Sequence, residues 1–363
     1  MSNEIPTYND LINRQIPLEV PSVAGWKEVP LVENGERLVP LGMWSDNSDI
    51  FTDSIYFGER TDSPYPNDSL KGNLVTMFVR EGVAEQLKKA HGLLPRGMYL
   101  VVFDTYRTLE VQQSLYDTYF NALKEQHSDW SDEDLSKETQ KYVSIPSHDP
   151  TRPSPHNTGG SVDLAIFKLP DDIDRKVREI SEELAKTPES NWQHAYRLEM
   201  RRNALVKEHA ELLNFGTRFD YGGGEAALNY YERLAKEHPL KEEEQEAMKN
   251  RRLLYNIMID AGFEAYEDEW WHFNSKKSQM GAKTAGLDHA EYGAAVLSPE
   301  SLKHEEMRKG HRLGSIRMLQ GATLRGKVNP LQEHFEVAKA AVDETGDIRI
   351  TSLPEAAVIK PPK

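Results

Sequence analysis

Cysteine is absent from the 363-residue sequence. This excludes disulfide bonds and leaves histidine and carboxylate side chains as the ligands for any zinc ion. Basic residues are in the minority, because 44 Lys and Arg stand against 59 Asp and Glu and the net charge is −15. A chain this acidic gains no affinity for nucleic acid from counterion release, so we expect no nucleic-acid partner.

Long apolar runs are also missing. Residues 1–20 contain no basic stretch followed by an apolar one, so they do not resemble a secretory signal. No segment reaches the roughly 20 apolar residues that span a bilayer, and we expect no membrane partner. The sequence therefore predicts a cytoplasmic protein.

Helical and strand patterns are both present, and they do not alternate regularly. This mixture favours the α+β class, with a small antiparallel sheet flanked by helices, over a doubly wound sheet. Hydrophobic residues make up 38% of the chain and charged residues 28%, which is typical of a globular protein. The main predicted helices are Val79–Leu94, Thr108–Gln126 and Leu240–Ala261, and the main predicted strands are Met98–Phe103, Val162–Phe167 and Phe263–Phe273.

A first candidate metal motif lies in a Pro-, Gly- and Ser-rich stretch that must be a loop. His156 is followed by Gly159 and Gly160, and Asp163 then enters a predicted strand. The glycines allow the backbone to fold back so that both side chains reach one point. Taken alone, the motif fits a surface loop with an unrelated histidine and an aspartate at a strand edge better than it fits a metal site.

A second candidate motif is Glu269-Trp-Trp-His272-Phe273. Here Glu269 suits the role of base and His272 that of metal ligand, while the tryptophans exclude water. The alternative is a core strand with a solvated Glu269. Because residues three apart on a regular strand face opposite sides, a shared site requires a twist or bulge at this point.

Together the motifs follow the pattern S-x-H-x-x-G-x-x-x-D and then E-x-x-H. This resembles the zinc signature of the D-alanyl-D-alanine dipeptidases involved in vancomycin resistance. It is shared more loosely by zinc D-Ala-D-Ala carboxypeptidases and the hedgehog signalling domain. The segments Asp104-Thr-Tyr106-Arg107 and Gly216-Thr-Arg-Phe219-Asp220 are also similar to the dipeptidases, and the resemblance runs from about Val79 to Phe273.

The resemblance implies a zinc metallopeptidase that hydrolyses a small dipeptide, D-Ala-D-Ala in the first instance. It implies that His156, Asp163 and His272 hold one Zn²⁺ ion per chain. By the same correspondence, Glu269 is the general base and acid, and Arg107 stabilises the developing oxyanion.

The substrate-binding residues are less closely defined by the resemblance. Ser154 is placed near the substrate carboxylate, and Trp271 is expected to line the site. Asp104 is a candidate for the substrate amine, although it can instead orient Arg107.

The rest of the chain is assigned around this resemblance. Residues 1–70 are predicted to form an irregular arm packed on a zinc peptidase domain at 71–284. Within that domain, 171–214 is predicted to be a helical insertion, and 285–363 is predicted to be a helical C-terminal extension. Thr108, where the family usually has proline, is a mild departure from its pattern.

Two other functions remain open at this stage. One is a peptidoglycan D,D- or L,D-carboxypeptidase or endopeptidase of the same fold, which the lack of an export signal disfavours. The other is a zinc-binding domain without turnover, which would require neither Glu269 nor Arg107. His148 is a possible competitor of His156 as ligand, but it lacks the paired glycines and the matched aspartate.

Overall fold

The computed structural model of the protein describes residues 6–57, 70–140 and 143–310, with two short segments at 340–342 and 348–350. Within these ranges helices and strands are mixed, which confirms the α+β class. The helices are α1 (Tyr8–Asn13), α2 (Glu81–Gly92), α3 (Leu109–Gln126), α4 (Asp132–Thr139), α5 (Asp171–Lys186), α6 (Trp192–His209), α7 (Tyr230–Glu237), α8 (Glu242–Ala261) and α9 (Gln279–Thr284). The strands are β1 (Leu38–Pro40), β2 (Phe51–Thr52), β3 (Phe78–Arg80), β4 (Met98–Asp104), β5 (Ser161–Lys168), β6 (Glu211–Leu212), β7 (Phe263–Tyr266), β8 (Glu269–Ser275), β9 (Ala340–Val342) and β10 (Ile348–Ile350).

The central sheet contains six strands in the order β2-β4-β5-β8-β7, with β6 paired to the end of β5. Strand β2 runs parallel to β4, whereas the other pairings are antiparallel. The prediction of a small antiparallel sheet is wrong in this respect. The parallel pairing arises because the chain crosses over through α2 between β2 and β4, and parallel neighbours require such a crossover.

The region predicted as one strand, Phe263–Phe273, is a hairpin of β7 and β8. The chain reverses at residues 267 and 268. These are Glu267 and Asp268; aspartate is common in turns, but no glycine, asparagine or proline accompanies it here. The continuous aromatic composition on both sides therefore concealed the turn from sequence reasoning.

Strand β5 passes through the core, where all of its residues except Lys168 are buried. The core around it includes Leu87 of α2 and Ile257 of α8. Helices α5 and α6 cover most of the segment predicted as an insertion, and they join the same core through Val177 and Val206. In the described part of the chain, no helix is both long and apolar enough to cross a membrane.

The N-terminal arm joins the main body through helix α1 and through strands β1 and β2. Helix α1 packs on α8, where Arg14 forms an ion pair of 2.6 Å with Asp260. Strand β2 is an edge strand of the central sheet. The arm is therefore held both by a helix and by backbone pairing.

The described part of the C-terminal region contains a helix at 299–310 and the hairpin of β9 and β10. The region predicted as a helical extension thus contains a β-hairpin as well as a helix. In the helix, Glu305 accepts hydrogen bonds from the backbone N–H groups of Val75 (2.8 Å) and Thr76 (2.9 Å). This helix is therefore tied to the main body, while the predicted boundary near 285 stays a prediction.

Candidate active site

Two neighbouring strands and one loop bring the candidate ligands together. Asp163 of β5 lies directly opposite His272 of β8 in the antiparallel register, so both side chains emerge on one face. His156 approaches from the turn before β5. Gly159 ends that turn with a left-handed backbone (φ 68°), and its N–H donates to the carbonyl of His156.

The three side chains form a buried cluster. One ligand atom from each of His156, Asp163 and His272 lies within 4.8 Å of the others, which makes the group a candidate metal site. The Nδ1 atom of His272 is 2.8 Å from Asp163 Oδ1, and the Nε2 atom of His156 is 3.5 Å from Asp163 Oδ2. Exposed His148, the possible competitor, is not part of this group.

The remaining ring nitrogens of the two histidines are engaged by other groups. His156 Nδ1 donates to the carbonyl of Thr105 (2.8 Å), which leaves Nε2 unprotonated toward the cluster. His272 Nε2 lies 3.1 Å from Asn274 Oδ1, an acceptor that in turn is bonded to Ser161. Such outer partners fix the tautomer and orientation of imidazole ligands.

A backbone irregularity brings Glu269 next to His272. The β7–β8 pairing passes from Ala265↔Phe273 directly to Tyr266↔Glu269, so β8 bulges between these pairs. Glu269 Oε2 then lies 3.9 Å from His272 Nδ1. The structure thus contains the bulge that the spacing of the second motif required.

Glu269 has an unusual electrostatic environment. Desolvation, together with the negative charges of Asp163 and Asp220, raises the pKa of Glu269 to about 7, against the opposing charges of His272 and Arg107. Its side chain nevertheless keeps 38% of its surface exposed, so a substrate can reach it. A carboxyl group with this pKa exchanges protons readily at neutral pH.

Arg107 follows β4 and is held on three sides. It forms an ion pair with Asp104, donates to Gln112 Oε1 (2.8 Å) and donates to the Tyr56 hydroxyl (2.8 Å). Burial alone would lower the pKa of Arg107, but Asp104 and Tyr56 outweigh this and raise it. Asp104 is thus paired with Arg107, as its second predicted role, the orientation of Arg107, requires.

The predicted substrate-binding residues Ser154 and Trp271 are both buried. The hydroxyl of Ser154 donates to Asn157 Oδ1 (2.9 Å). Its single proton is therefore occupied and is not available to a substrate carboxylate in this arrangement. Trp271 packs edge-on against Phe219. The amide of Asn157 also donates to the carbonyl of Arg107 (2.5 Å), so Asn157 connects the first metal motif with the Asp104–Arg107 segment and was missed by sequence reasoning.

Asp220 is a second residue that sequence reasoning missed as a functional group. Desolvation and the charge of Asp163 raise the pKa of Asp220 to about 6. Asp220 is nevertheless exposed to solvent. Its backbone is left-handed (φ 59°), which is uncommon for a residue other than glycine. The available signal was its place in the segment that resembles the dipeptidases.

Comparison with known proteins agrees with the resemblance. Residues 169–290 match the family described as D-ala-D-ala dipeptidase. This range contains Glu269 and His272, begins after Asp163, and includes the predicted insertion. The chain is also 22% identical over 278 residues to the D-alanyl-D-alanine dipeptidase of Synechocystis sp., covering 73% of this chain and 91% of that protein. The predicted resemblance is therefore confirmed, and it supports a peptidase.

Proposed function

We propose that this relative of the D-alanyl-D-alanine dipeptidases is a zinc-dependent dipeptidase whose substrate is D-Ala-D-Ala. The observation that carries the proposal is the convergence of His156, Asp163 and His272 on one buried point, with Glu269 beside them. The name of the Synechocystis protein supports the choice of substrate.

The donor set fits zinc. Two imidazoles and one carboxylate without sulfur are a common catalytic zinc set, and three protein ligands leave a position open for reactants. Each imidazole also has an outer hydrogen-bond partner, as zinc ligands usually do. When bound, zinc supplies Lewis-acid chemistry there, because it polarises a carbonyl group and acidifies water.

Glu269 is the proposed proton shuttle. It accepts the proton of the water that attacks the peptide carbonyl, and it delivers that proton to the departing amine. Desolvation raises its pKa, so its carboxylate takes up a proton more readily than that of an ordinary glutamate. Trp270 and Trp271 follow it in the chain and are buried, so they shield one side of the site from water.

Arg107 is the proposed oxyanion-stabilising group. Its guanidinium is held by Asp104 and Gln112, so its position is set before the substrate arrives. A preorganised positive charge of this kind stabilises the negative charge that develops on the carbonyl oxygen.

A dipeptidase must also recognise two free termini. We assign the substrate ammonium to Asp220, an exposed carboxylate whose charge interacts with Asp163 and Arg107. For the substrate carboxylate, Ser154 remains the proposal, and its hydroxyl would have to turn from Asn157. Trp271 is proposed to form the wall of the site behind Phe219.

The test is a substrate screen with purified, zinc-loaded protein. We expect hydrolysis of D-Ala-D-Ala to exceed that of L,D- and L,L-dipeptides and of a D-Ala-D-Ala-terminated tripeptide. Preferential cleavage of the tripeptide would instead indicate a carboxypeptidase. Zinc binding without turnover of any of these peptides would indicate a non-catalytic domain.

The ligand assignment is tested by metal analysis of the same preparation. His156→Ala and His272→Ala each remove one of three ligands, so both should lose most of the bound zinc. His148→Ala is the matched control, because His148 is exposed and outside the cluster, and it should retain full occupancy. Full occupancy in either ligand variant would refute the assignment.

A further inference from the structure

Helix α8 carries two adjacent buried arginines with different partners. Arg251 directs its donors to three backbone carbonyls: Nε to Phe215 (2.8 Å), one terminal nitrogen to Ala227 (2.6 Å) and the other to Glu225 (2.7 Å). Arg252 instead forms an ion pair with Glu232 (2.5 Å). Arg251 also lies over the ring of Tyr231 (4.7 Å to the centroid), which offsets part of the cost of burying its charge among neutral carbonyls.

The three carbonyls belong to the two ends of one loop, residues 215–227. The first part of the loop, residues 215–219, packs against the tryptophans of β8. Phe215 stacks on Trp270 (4.2 Å between ring centroids), and Thr217 Oγ1 accepts from Trp270 Nε1 (2.9 Å). Phe219 packs against Trp271. Arg251 therefore clamps the ends of a loop whose first part lies against the strand that carries Glu269 and His272.

The clamped loop presents Asp220. Its left-handed backbone is uncommon for a residue with a Cβ atom, and the rest of the loop helps to hold this conformation. Its charge interacts with Asp163, Arg107 and Asp104 across the site. The position of this carboxylate thus depends on how the ends of the loop are held.

We propose that Arg251 is a positioning residue for substrate binding, which holds loop 215–227 so that Asp220 faces the substrate amine. The inference rests on the proposed function, in which Asp220 binds the ammonium group. Arg251 itself touches neither the metal ligands nor the substrate, and it acts through the carbonyls of Phe215, Glu225 and Ala227.

The first experiment is steady-state kinetics of Arg251→Lys with D-Ala-D-Ala. Lysine keeps the charge, but its single ammonium lacks the fork of donors that spans three carbonyls. We expect KM to rise about tenfold or more, kcat to change less than about threefold, and zinc content to be unchanged. Arg252→Lys is the matched control, because it changes a buried arginine on the same helix that does not contact the loop, and its KM should stay near wild type.

The second experiment combines Arg251→Lys with Asp220→Asn. If Arg251 acts through Asp220, the double variant should show a KM rise no larger than about that of the stronger single variant. Two results would overturn the positioning role. One is full additivity of the KM effects of Arg251→Lys and Asp220→Asn. The other is a KM near wild type in Arg251→Lys, as in Arg252→Lys, while Asp220→Asn raises KM. An unchanged KM in Asp220→Asn would instead refute the ammonium site of the proposed function, and with it the basis of this inference.

A purely structural effect of Arg251→Lys is separated by a neutral variant. If the lysine variant is too unstable to assay, Arg251→Gln removes the buried charge and keeps two N–H donors for the loop. The same criteria apply to it: a KM effect that is not additive with Asp220→Asn supports the clamp. Loss of kcat with unchanged KM would overturn it.

Discussion

Asp163 is the residue on which the other groups of the site converge. It contacts both candidate histidine ligands and shares the site with the carboxylates of Glu269 and Asp220. Burial would raise the pKa of Asp163, but the histidines and Arg107 outweigh this and lower it. Desolvation and the negative charge of Asp163 together raise the pKa values of Glu269 and Asp220, so neighbouring carboxyl groups acquire different protonation behaviour.

This difference leads to a prediction for Glu269. Glu269→Gln preserves size and hydrogen bonding but removes the basic oxygen, so kcat for D-Ala-D-Ala should fall by roughly 100-fold or more. Zinc should remain bound, because Glu269 is not expected to be one of its ligands. A fourth protein ligand would close the site to reactants. The two measurements are metal content and kcat on the same protein.

The control is Asp268→Asn, which neutralises the adjacent, exposed carboxylate that pairs with the Tyr266 hydroxyl (2.9 Å). Its kcat should stay close to wild type. Zinc lost together with activity in Glu269→Gln would make Glu269 a ligand. Zinc kept with near-normal activity would mean that another group moves the proton.

At the scale of elements, the site depends on two short departures from regular structure. The bulge in β8 turns Glu269 toward His272, and the left-handed Gly159 turns the loop that carries His156 back toward β5. At Gly159 a Cβ atom would lie 2.4 Å from Leu38 Cδ2, a buried side chain of β1. The ligand loop is therefore packed closely against the N-terminal arm.

Gly159→Ala should consequently weaken both folding and metal binding. The left-handed backbone costs about 1–2 kcal/mol with a Cβ atom, and the collision with Leu38 adds overpacking of about 1–3 kcal/mol. We expect a lower denaturation midpoint and a weaker zinc affinity in competition with a chelator.

Gly35→Ala is the matched control for this prediction. Gly35 has a similar backbone (φ 76°), but among the described residues beyond its chain neighbours no atom lies within 4 Å of the point that a Cβ atom would occupy. It should therefore show only the backbone cost and a normal zinc affinity. Equal effects of the two variants would mean that the contact with Leu38 does not constrain the ligand loop.

At the scale of the whole molecule, Glu36 connects three distant parts of the chain. It accepts hydrogen bonds from Lys277 (2.5 Å), from the Tyr292 hydroxyl (2.7 Å) and from the backbone N–H of Gly82 in α2 (2.9 Å). Tyr292 lies in the segment predicted as an extension, and Glu36 lies in the N-terminal arm. The arm, the main body and this segment therefore meet at one carboxylate.

This junction predicts a pH-dependent contribution to stability. Burial would raise the pKa of Glu36, but the bonds from Lys277, Tyr292 and Gly82 outweigh it and lower the pKa from 4.5 to about 2. A carboxylate whose pKa is lower in the folded than in the unfolded state stabilises the fold at pH values above the unfolded pKa. This contribution is lost as pH falls from about 4.5 to about 2. Wild type should therefore exceed Glu36→Gln in free energy of unfolding at pH 6, and the excess should shrink below pH 4.5.

Urea denaturation at a series of pH values measures this difference directly. Glu85→Gln is the control, because the Glu85 side chain is 72% exposed and its ion pair with Lys88 lies on the surface. A difference between wild type and Glu36→Gln that stays constant from pH 6 to pH 2.5 would contradict the prediction.

Local chemistry was sufficient to predict several parts of this molecule. The absence of cysteine restricted the donors to histidine and carboxylate, and the motif spacing indicated which residues to consider. Helices with strong end signals were also predictable, such as α8, which ends where Gly262 adopts a left-handed backbone (φ 100°). These features depend on neighbours in the chain, so the sequence contains them directly.

Tertiary structure alone decided how those residues act together. The opposition of Asp163 and His272 is set by strand register, the bond from Asn157 to the carbonyl of Arg107 by loop packing, and the pKa of Glu269 by burial and by charges from separate elements. The parallel edge strand β2 likewise has no local signal. Each depends on groups far apart in the chain, whose distance and shared desolvation exist only once the chain has folded.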